Sequence, residues 1–146
     1  MYFYQKYKRM TAQIIYKGNL RTEAIHLQSG TILETDAPKD NQGLGEKFSP
    51  TDLVATALGS CMLSIMGIAA KTHHIALEET KIDITKIMIA DPHRRIAEIK
   101  VDFHFPVGII YSEKEKMILE KAALTCPVYV SLHEQVIKTV HFNWPA

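Results

Sequence analysis

Hydrophobic and polar residues alternate along several short stretches of the chain, which is the pattern of half-buried β-strands. Alternation is clearest in Ile96–Phe105, where four apolar side chains fall on one face. In Lys81–Ala90 the alternation changes phase near Thr85 and Lys86, which predicts a bulge. The predicted strands are Thr11–Tyr16, Arg21–Gln28, Thr31–Thr35, Lys81–Ala90, Ile96–Phe105 and Thr139–Asn143.

One long helix is predicted after the third strand. Ser49 suits the cap position, Pro50 the first helical position, and Asp52 the third residue of a capping box. The run that follows, Leu53–Ala70, contains no charged residue. Such a run approaches the length of a membrane span, but a helix that is apolar all round is also typical of the buried centre of a soluble fold. We favour the soluble interpretation, because serine, threonine and glycine dilute the run and no aromatic belt flanks it.

Two further helices are predicted nearer the C-terminus. Ser112 and Glu115 form a capping box for a helix that runs to about Leu124. Pro127 ends that segment and begins another helix, predicted to continue through Val136. The resulting order, βββ–α–ββ–α–α–β, favours an α+β fold with antiparallel sheet over residues 11–146.

The two ends of the pattern are irregular. Asp36–Phe48 is rich in turn-forming residues and predicts a mobile loop, of a kind that often carries function. Residues 1–10 predict an N-terminal tail, and translation could start at Met1 or at Met10. The tail lacks the apolar core of a secretory signal, so we expect a cytoplasmic protein.

Composition narrows the function classes. The 146 residues include 17 Lys+Arg and 16 Asp+Glu, and the net charge of +1 gives no basic field for nucleic acid. Two cysteines, Cys61 and Cys126, are too few for a disulfide-rich scaffold or a four-cysteine zinc site. The seven histidines show no metal-binding spacing, so no metal site is predicted.

The surroundings of the two cysteines point in different directions. Cys61 lies mid-helix, where the residues at helical spacing predict an inert, buried thiol with a raised pKa. Those residues are Val54, Ala57, Leu58, Ile65 and Ile68. Cys126 lies at the start of the helix that begins with Pro127, where the helix dipole favours a thiolate. For Cys61 to react, a charged group must reach it from outside its own helix, and Arg21 held by Asp52 is a candidate.

Several motifs resemble the OsmC/Ohr family (osmotically inducible protein C and organic hydroperoxide resistance protein). They are FSPTDLVATALGSCMLSIMGI around Cys61 and the CPV unit at Cys126, together with GNLRTE and the TDAP loop, which favour the OsmC-like branch. The resemblance extends from Thr11 to Trp144. It implies an intertwined homodimer, with antiparallel sheets wrapped around two central helices.

The resemblance also implies thiol-dependent reduction of organic hydroperoxides. Cys61 would be the peroxidatic cysteine, Cys126 the resolving cysteine, and an external dithiol would restore both, without a bound cofactor. Arg21 and Asp52 would supply the guanidinium and its carboxylate, although Thr51 stands where the Ohr motif has glutamate, and Glu46 is a possible substitute. Two alternatives stay open: a non-catalytic dimer that senses redox state or binds a ligand, and a pair of purely structural cysteines.

Overall fold

The computed structural model describes residues 10–146. The chain divides into two compact units, one that ends at Leu53 and one that comprises Val54–Ala146. Each is described by itself below. The predicted tail, apart from Met10, lies outside the described residues, and the prediction of a single domain over residues 11–146 stays a prediction.

The first unit contains a three-stranded antiparallel meander, as predicted. Its strands are β1 (Ala12–Gly18), β2 (Arg21–His26) and β3 (Ile32–Asp36), hydrogen-bonded in the order β1-β2-β3. Asn19 and Leu20 join β1 to β2, and both have positive φ, 53° and 59°. Two successive residues with positive φ form the type of turn that matches the twist of a hairpin. The turn places Arg21 at the first position of β2.

The segment after β3 folds back on the end of that strand. The Asp36 N–H donates to the Phe48 carbonyl at 3.2 Å, and the Gly45 N–H donates to the Ala37 carbonyl at 3.2 Å. A short 3₁₀ turn, Lys39–Asn41, lies between them. The predicted irregular loop is therefore tied to β3 by backbone hydrogen bonds, while its mobility stays a prediction.

The long helix α1 extends over Pro50–His73, three residues beyond its predicted end. Its first turn has the predicted capping box: the Ser49 N–H donates to Asp52 Oδ2 at 2.9 Å, and the Asp52 N–H donates to Ser49 Oγ at 3.1 Å. Its C-terminus is closed by the Ile75 N–H, which donates to the Ala70 carbonyl, with His74 at a φ of 56°. This is the left-handed ending common to many helices.

The buried face of α1 differs from the predicted one. Val54 and Ile68, expected beside Cys61 in the core, are 39% and 64% exposed. The buried residues are Ala55, Leu58, Gly59, Met62, Met66 and Ala70. In a helix without charges, hydrophobic periodicity does not mark a single face. The face is set by packing instead, because Gly59 allows the helix to approach Ile82 and Ile84 of the strand described next.

The second unit contains a mixed three-stranded sheet of β4 (Lys81–Ile89), β5 (Arg95–His104) and β6 (Ile137–Asn143). The β4–β5 pair is antiparallel, with a register shift between Ile87 and Met88, so the predicted bulge occurs slightly later than expected. β6 pairs with β5 in parallel, which the prediction of an all-antiparallel sheet missed. A parallel pair needs a long crossover connection, and the residues between β5 and β6 provide it.

That crossover contains α2 (Glu113–Ala123) and α3 (Pro127–Ser131). The capping box of Ser112 and Glu115 is present as predicted. The prediction that α3 reaches Val136 was wrong, because the backbone becomes extended at Leu132. Leu132 and Val136 are both partly buried against the core.

By length and composition alone, α1 could cross a membrane. Six of its residues are buried within the protein, and 33% of its most apolar stretch is buried.

Candidate active site

The second unit brings Cys61 and Cys126 together, although 64 residues separate them in the sequence. Cys61 is half-buried on α1 and Cys126 is fully buried at the start of α3, and neither forms a disulfide. Cys61 packs against the buried core that contains Cys126, and the interaction with Cys61 contributes to a raised pKa of Cys126. Two reduced thiols in contact can be converted to a disulfide by oxidation of either one.

The helix position of Cys126 is as predicted, but burial opposes its effect on the thiol. Cys126 caps α3, and its Sγ accepts a hydrogen bond from the Tyr129 N–H at 3.2 Å. That bond favours a thiolate, yet burial outweighs it and raises the pKa of Cys126. The start of α3 favours a thiolate, as expected, but α3 has only five residues, and desolvation of a buried thiol favours its neutral form.

Cys61 is also less enclosed than its neighbours in the sequence indicated. Leu58 and Met62, one turn before and one residue after it, are fully buried, whereas Cys61 itself is half-buried. Cys61 is therefore not fully enclosed, although its neighbours in the sequence predict that it would be.

In the first unit, Arg21 is held by two carboxylates. Its Nε donates to Asp36 Oδ1 at 2.7 Å and its Nη2 to Asp36 Oδ2 at 2.9 Å, a bidentate pair across adjacent strands. The same Nη2 donates to Glu46 Oε2 at 2.8 Å. The hydrogen bond from Arg21 lowers the pKa of Asp36 and is the largest cause of that shift, and both carboxylates raise the pKa of Arg21. The guanidinium is therefore charged and fixed in orientation.

Asp52 does not have the position that was expected of it. The ion pairs that the structure gives to Arg21 are with Asp36 and Glu46, whereas the Asp52 carboxylate closes the capping box of α1. The side chain three residues after a helix cap points back at that cap, so the capping role took precedence. Glu46, the substitute named from the sequence, does contact Arg21.

Asp36 was missed by the sequence analysis. It was assigned to the start of an irregular loop, but it is the last residue of β3, is fully buried and is the register partner of Arg21. A signal was present, because Asp36 directly follows the predicted strand Thr31–Thr35. Strand register, which the sequence does not specify, was needed to name its partner.

Within residues 10–146, no group of three or more histidine, cysteine, aspartate or glutamate side chains is arranged to hold a metal ion.

Comparison with known proteins assigns the chain to a family. The sequence model of the family described as OsmC-like protein matches residues 43–140, more than half of the chain. The chain belongs to the OsmC-like family. The resemblance of the motifs is thus confirmed, and the matched region includes Glu46, Cys61 and Cys126 but not Arg21 or Asp36.

Solved structures of OsmC-like proteins agree with this assignment. A protein of Psychrobacter arcticus 273-4, provisionally named for osmotic stress induction and a detoxification response, is 46% identical over 92% of this chain and 96% of its own, with a TM-score of 0.87. The organic hydroperoxide resistance protein OsmC of Legionella pneumophila is 16% identical over 94% and 98%, with a TM-score of 0.74. An OsmC-like protein of Mycoplasma pneumoniae is 19% identical over 96% and 99%, with a TM-score of 0.76. The last two show a shared fold only. A comparison with curated protein sequences gives no match.

Proposed function

We propose that this OsmC-like protein is a cysteine-based peroxidase that reduces organic hydroperoxides in oxidative-stress defence. The observation that carries the proposal is that Cys61, a half-buried free thiol, packs against the same buried core as Cys126, a fully buried one. Some fold relatives are named organic hydroperoxide resistance proteins, which supports the substrate class.

In the proposed cycle, the Cys61 thiolate attacks the terminal oxygen of the hydroperoxide. The O–O bond breaks, the alkoxide leaves and takes a proton to become an alcohol, and Cys61 becomes a sulfenic acid. Cys126 then attacks the Cys61 sulfur, its proton leaves with the hydroxide as water, and a Cys61–Cys126 disulfide forms. An external dithiol reduces that disulfide by exchange and is itself oxidised to a disulfide.

The division of roles follows from burial. A half-buried Cys61 is open to a small peroxide, whereas a fully buried Cys126 is shielded from it. Because burial raises the pKa of Cys126, that residue stays a neutral thiol at pH 7 and does not compete for peroxide. Arg21 would act at the leaving oxygen, since a fixed guanidinium stabilises developing negative charge. In this proposal its carboxylate partners are the residues of the first unit that bind it, and Asp52 acts as a helix cap.

We also propose that two copies of the chain associate in the cytoplasm. The β1–β3 sheet exposes apolar side chains on both of its faces, with Ile14 68% and Ile15 58% exposed, and on α1 Ile68 is 64% exposed. Association with a second copy would remove such apolar side chains from water. Analytical ultracentrifugation should therefore give the mass of a dimer; a monomer at micromolar concentration would contradict this.

The peroxidase proposal is tested by coupling disappearance of an alkyl hydroperoxide to oxidation of a dithiol. Wild-type protein should turn over, and Cys61→Ser should not. Cys126→Ser, the matched control, should consume one equivalent and stop at the Cys61 sulfenic acid. Mass spectrometry of wild type after one equivalent of peroxide should show a Cys61–Cys126 disulfide. Unchanged turnover in Cys61→Ser would contradict the proposal.

The second candidate is a redox-sensing dimer without efficient turnover. It is favoured by one observation: the carboxylate nine residues before Cys61, Asp52, serves as a helix cap. The same thiol titration separates the candidates, because a sensor forms the disulfide once and is not recycled by dithiol at a catalytic rate.

A further inference from the structure

The two carboxylates that hold Arg21 differ in burial and in the number of hydrogen bonds that they accept from it. Asp36 is fully buried, whereas the Glu46 side chain is 64% exposed. Asp36 binds through both of its oxygens, to Nε and Nη2, and Glu46 through one oxygen to Nη2 alone. A bidentate arginine–carboxylate pair fixes the orientation of the guanidinium plane, whereas a single exposed contact does not.

Burial determines how readily each pair can separate. If the Asp36–Arg21 pair separated, an uncompensated charge would remain inside the protein. Separation of Glu46 exposes its carboxylate to water, where exposed ion pairs contribute little. One positive charge also faces two negative ones in this group, so Arg21 remains neutralised by Asp36 after Glu46 leaves.

Asp36 additionally links the guanidinium to the loop that carries Glu46. Its Oδ2 accepts a hydrogen bond from the Glu46 N–H at 3.0 Å, while its own N–H donates to the Phe48 carbonyl at 3.2 Å. A Cβ at Gly43 would collide with the Ala37 carbonyl, so the loop lies tightly against the residue after Asp36. The backbone of Glu46 is thus held by Asp36, whereas the Glu46 side chain is held by its single contact with Arg21.

From these contacts we infer that Asp36 is the residue that positions Arg21, and that Glu46 is an exchangeable partner whose departure opens the Nη2 edge of the guanidinium. The role assigned to Asp36 rests on the proposed peroxidase function: Asp36 holds the guanidinium in one orientation, and the edge vacated by Glu46 becomes available to the developing charge on the leaving oxygen. Asp36 acts only through Arg21 and is a positioning residue.

The first measurement observes the guanidinium directly and needs no turnover. In ¹H–¹⁵N spectra, the Arg21 Nε–H, assigned by its loss in Arg21→Lys, should give a slowly exchanging signal in wild type, since it donates to a buried oxygen. Asp36→Asn should abolish that signal, and Glu46→Gln should preserve it. Survival of the signal in Asp36→Asn, or its loss in Glu46→Gln, would overturn the inference. If Asp36→Asn folds poorly, the Nε–H signal in Glu46→Gln still tests the inference, because its loss would overturn it.

The second measurement is kcat/KM for an alkyl hydroperoxide. Asp36→Asn should lower it about tenfold or more, since a misplaced group costs on the order of 10²-fold. Adding Asp36→Asn to Arg21→Lys should change kcat/KM less than about twofold, because Asp36 acts through Arg21. An additive loss in the double variant would indicate a general structural role and contradict the inference. A wild-type protein without turnover, but with the expected Nε–H signals, would remove the peroxidase proposal and leave the positioning of Arg21 by Asp36 intact.

Discussion

Replacement of Gly59 by alanine tests how closely α1 packs against its own sheet. A Cβ at this position would lie 2.7 Å from Ile84 Cδ1 and 3.5 Å from Ile82 Cγ2. An unstrained carbon–carbon contact is about 3.5–4.0 Å, so Ile84 must move by about 1 Å or strain. Alanine gains about 1 kcal/mol over glycine in a helix interior, while overpacking a core costs about 1–3 kcal/mol. We expect Gly59→Ala to be between neutral and about 2 kcal/mol destabilising.

Gly67 in the same helix provides a matched control. A Cβ there would meet nothing within 4 Å, so Gly67→Ala gains the helix propensity without the collision and should stabilise by about 0.5–1 kcal/mol. Because the propensity gain is common to both variants, their difference of about 1–3 kcal/mol measures the contact with Ile84.

The assay is equilibrium unfolding in guanidinium chloride, followed by far-UV circular dichroism at one fixed protein concentration, since association would shift the midpoint. Ile84→Val removes the contacting Cδ1 atom and should recover part of the loss when combined with Gly59→Ala. Stabilisation of Gly59→Ala equal to that of Gly67→Ala would refute the reasoning, because it would show that α1 does not approach β4 as closely as described.

Further outcomes follow from single contacts. Ser49→Ala removes the hydroxyl that accepts a backbone N–H in the first turn of α1 and should lower the free energy of unfolding by about 1 kcal/mol in the same assay. Leu119→Ala, at a fully buried position, should cost about 2–5 kcal/mol, whereas Met117→Ala, at a side chain 67% exposed, should cost less than about 0.5 kcal/mol. Because the folded pKa of Cys126 is raised, the stability that its bound proton gives the folded protein is complete below the unfolded thiol pKa of about 8.5. That stability is lost as pH rises through the folded value. Urea midpoints should therefore fall above pH 8.5 in wild type, and they should fall less in Cys126→Ser. Because the folded pKa of Asp36 is lowered, the stability that its carboxylate gives the folded protein is present above the unfolded pKa of about 4 and is lost as pH falls through the folded value. Below pH 4, the free energy of unfolding should therefore fall less steeply with pH in Asp36→Asn than in wild type. Equal slopes would contradict the pairing with Arg21.

Much of the local structure could be predicted from the sequence because it depends on neighbouring residues. The capping boxes at Ser49 and Ser112, the alternation of Ile99, Val101 and Phe103, and the start of α3 at Pro127 are all set within a few residues. The family motif around Cys61 is likewise a contiguous stretch, and its identification was confirmed.

Features that depend on distant residues were mispredicted or missed. The buried face of α1 could not be predicted from an uncharged run, since Gly59 and its approach to Ile84 select it. The parallel pairing of β6 depends on the path of a crossover, and α3 ends where the backbone becomes extended at Leu132. Each of these outcomes is determined by tertiary packing, and the local periodicity of the sequence carries no information about that packing.

The candidate site divides in the same way. The sequence by itself determined the family, the two cysteines and the arginine after the first hairpin turn, because these are residue types at fixed places in the chain. Only the tertiary structure brought Cys126 against Cys61, raised its pKa through burial, and paired Arg21 with Asp36 instead of Asp52. The physical reason is that desolvation and strand register arise from residues far apart in sequence, and a thiol or a carboxylate takes its chemistry from what surrounds it in space.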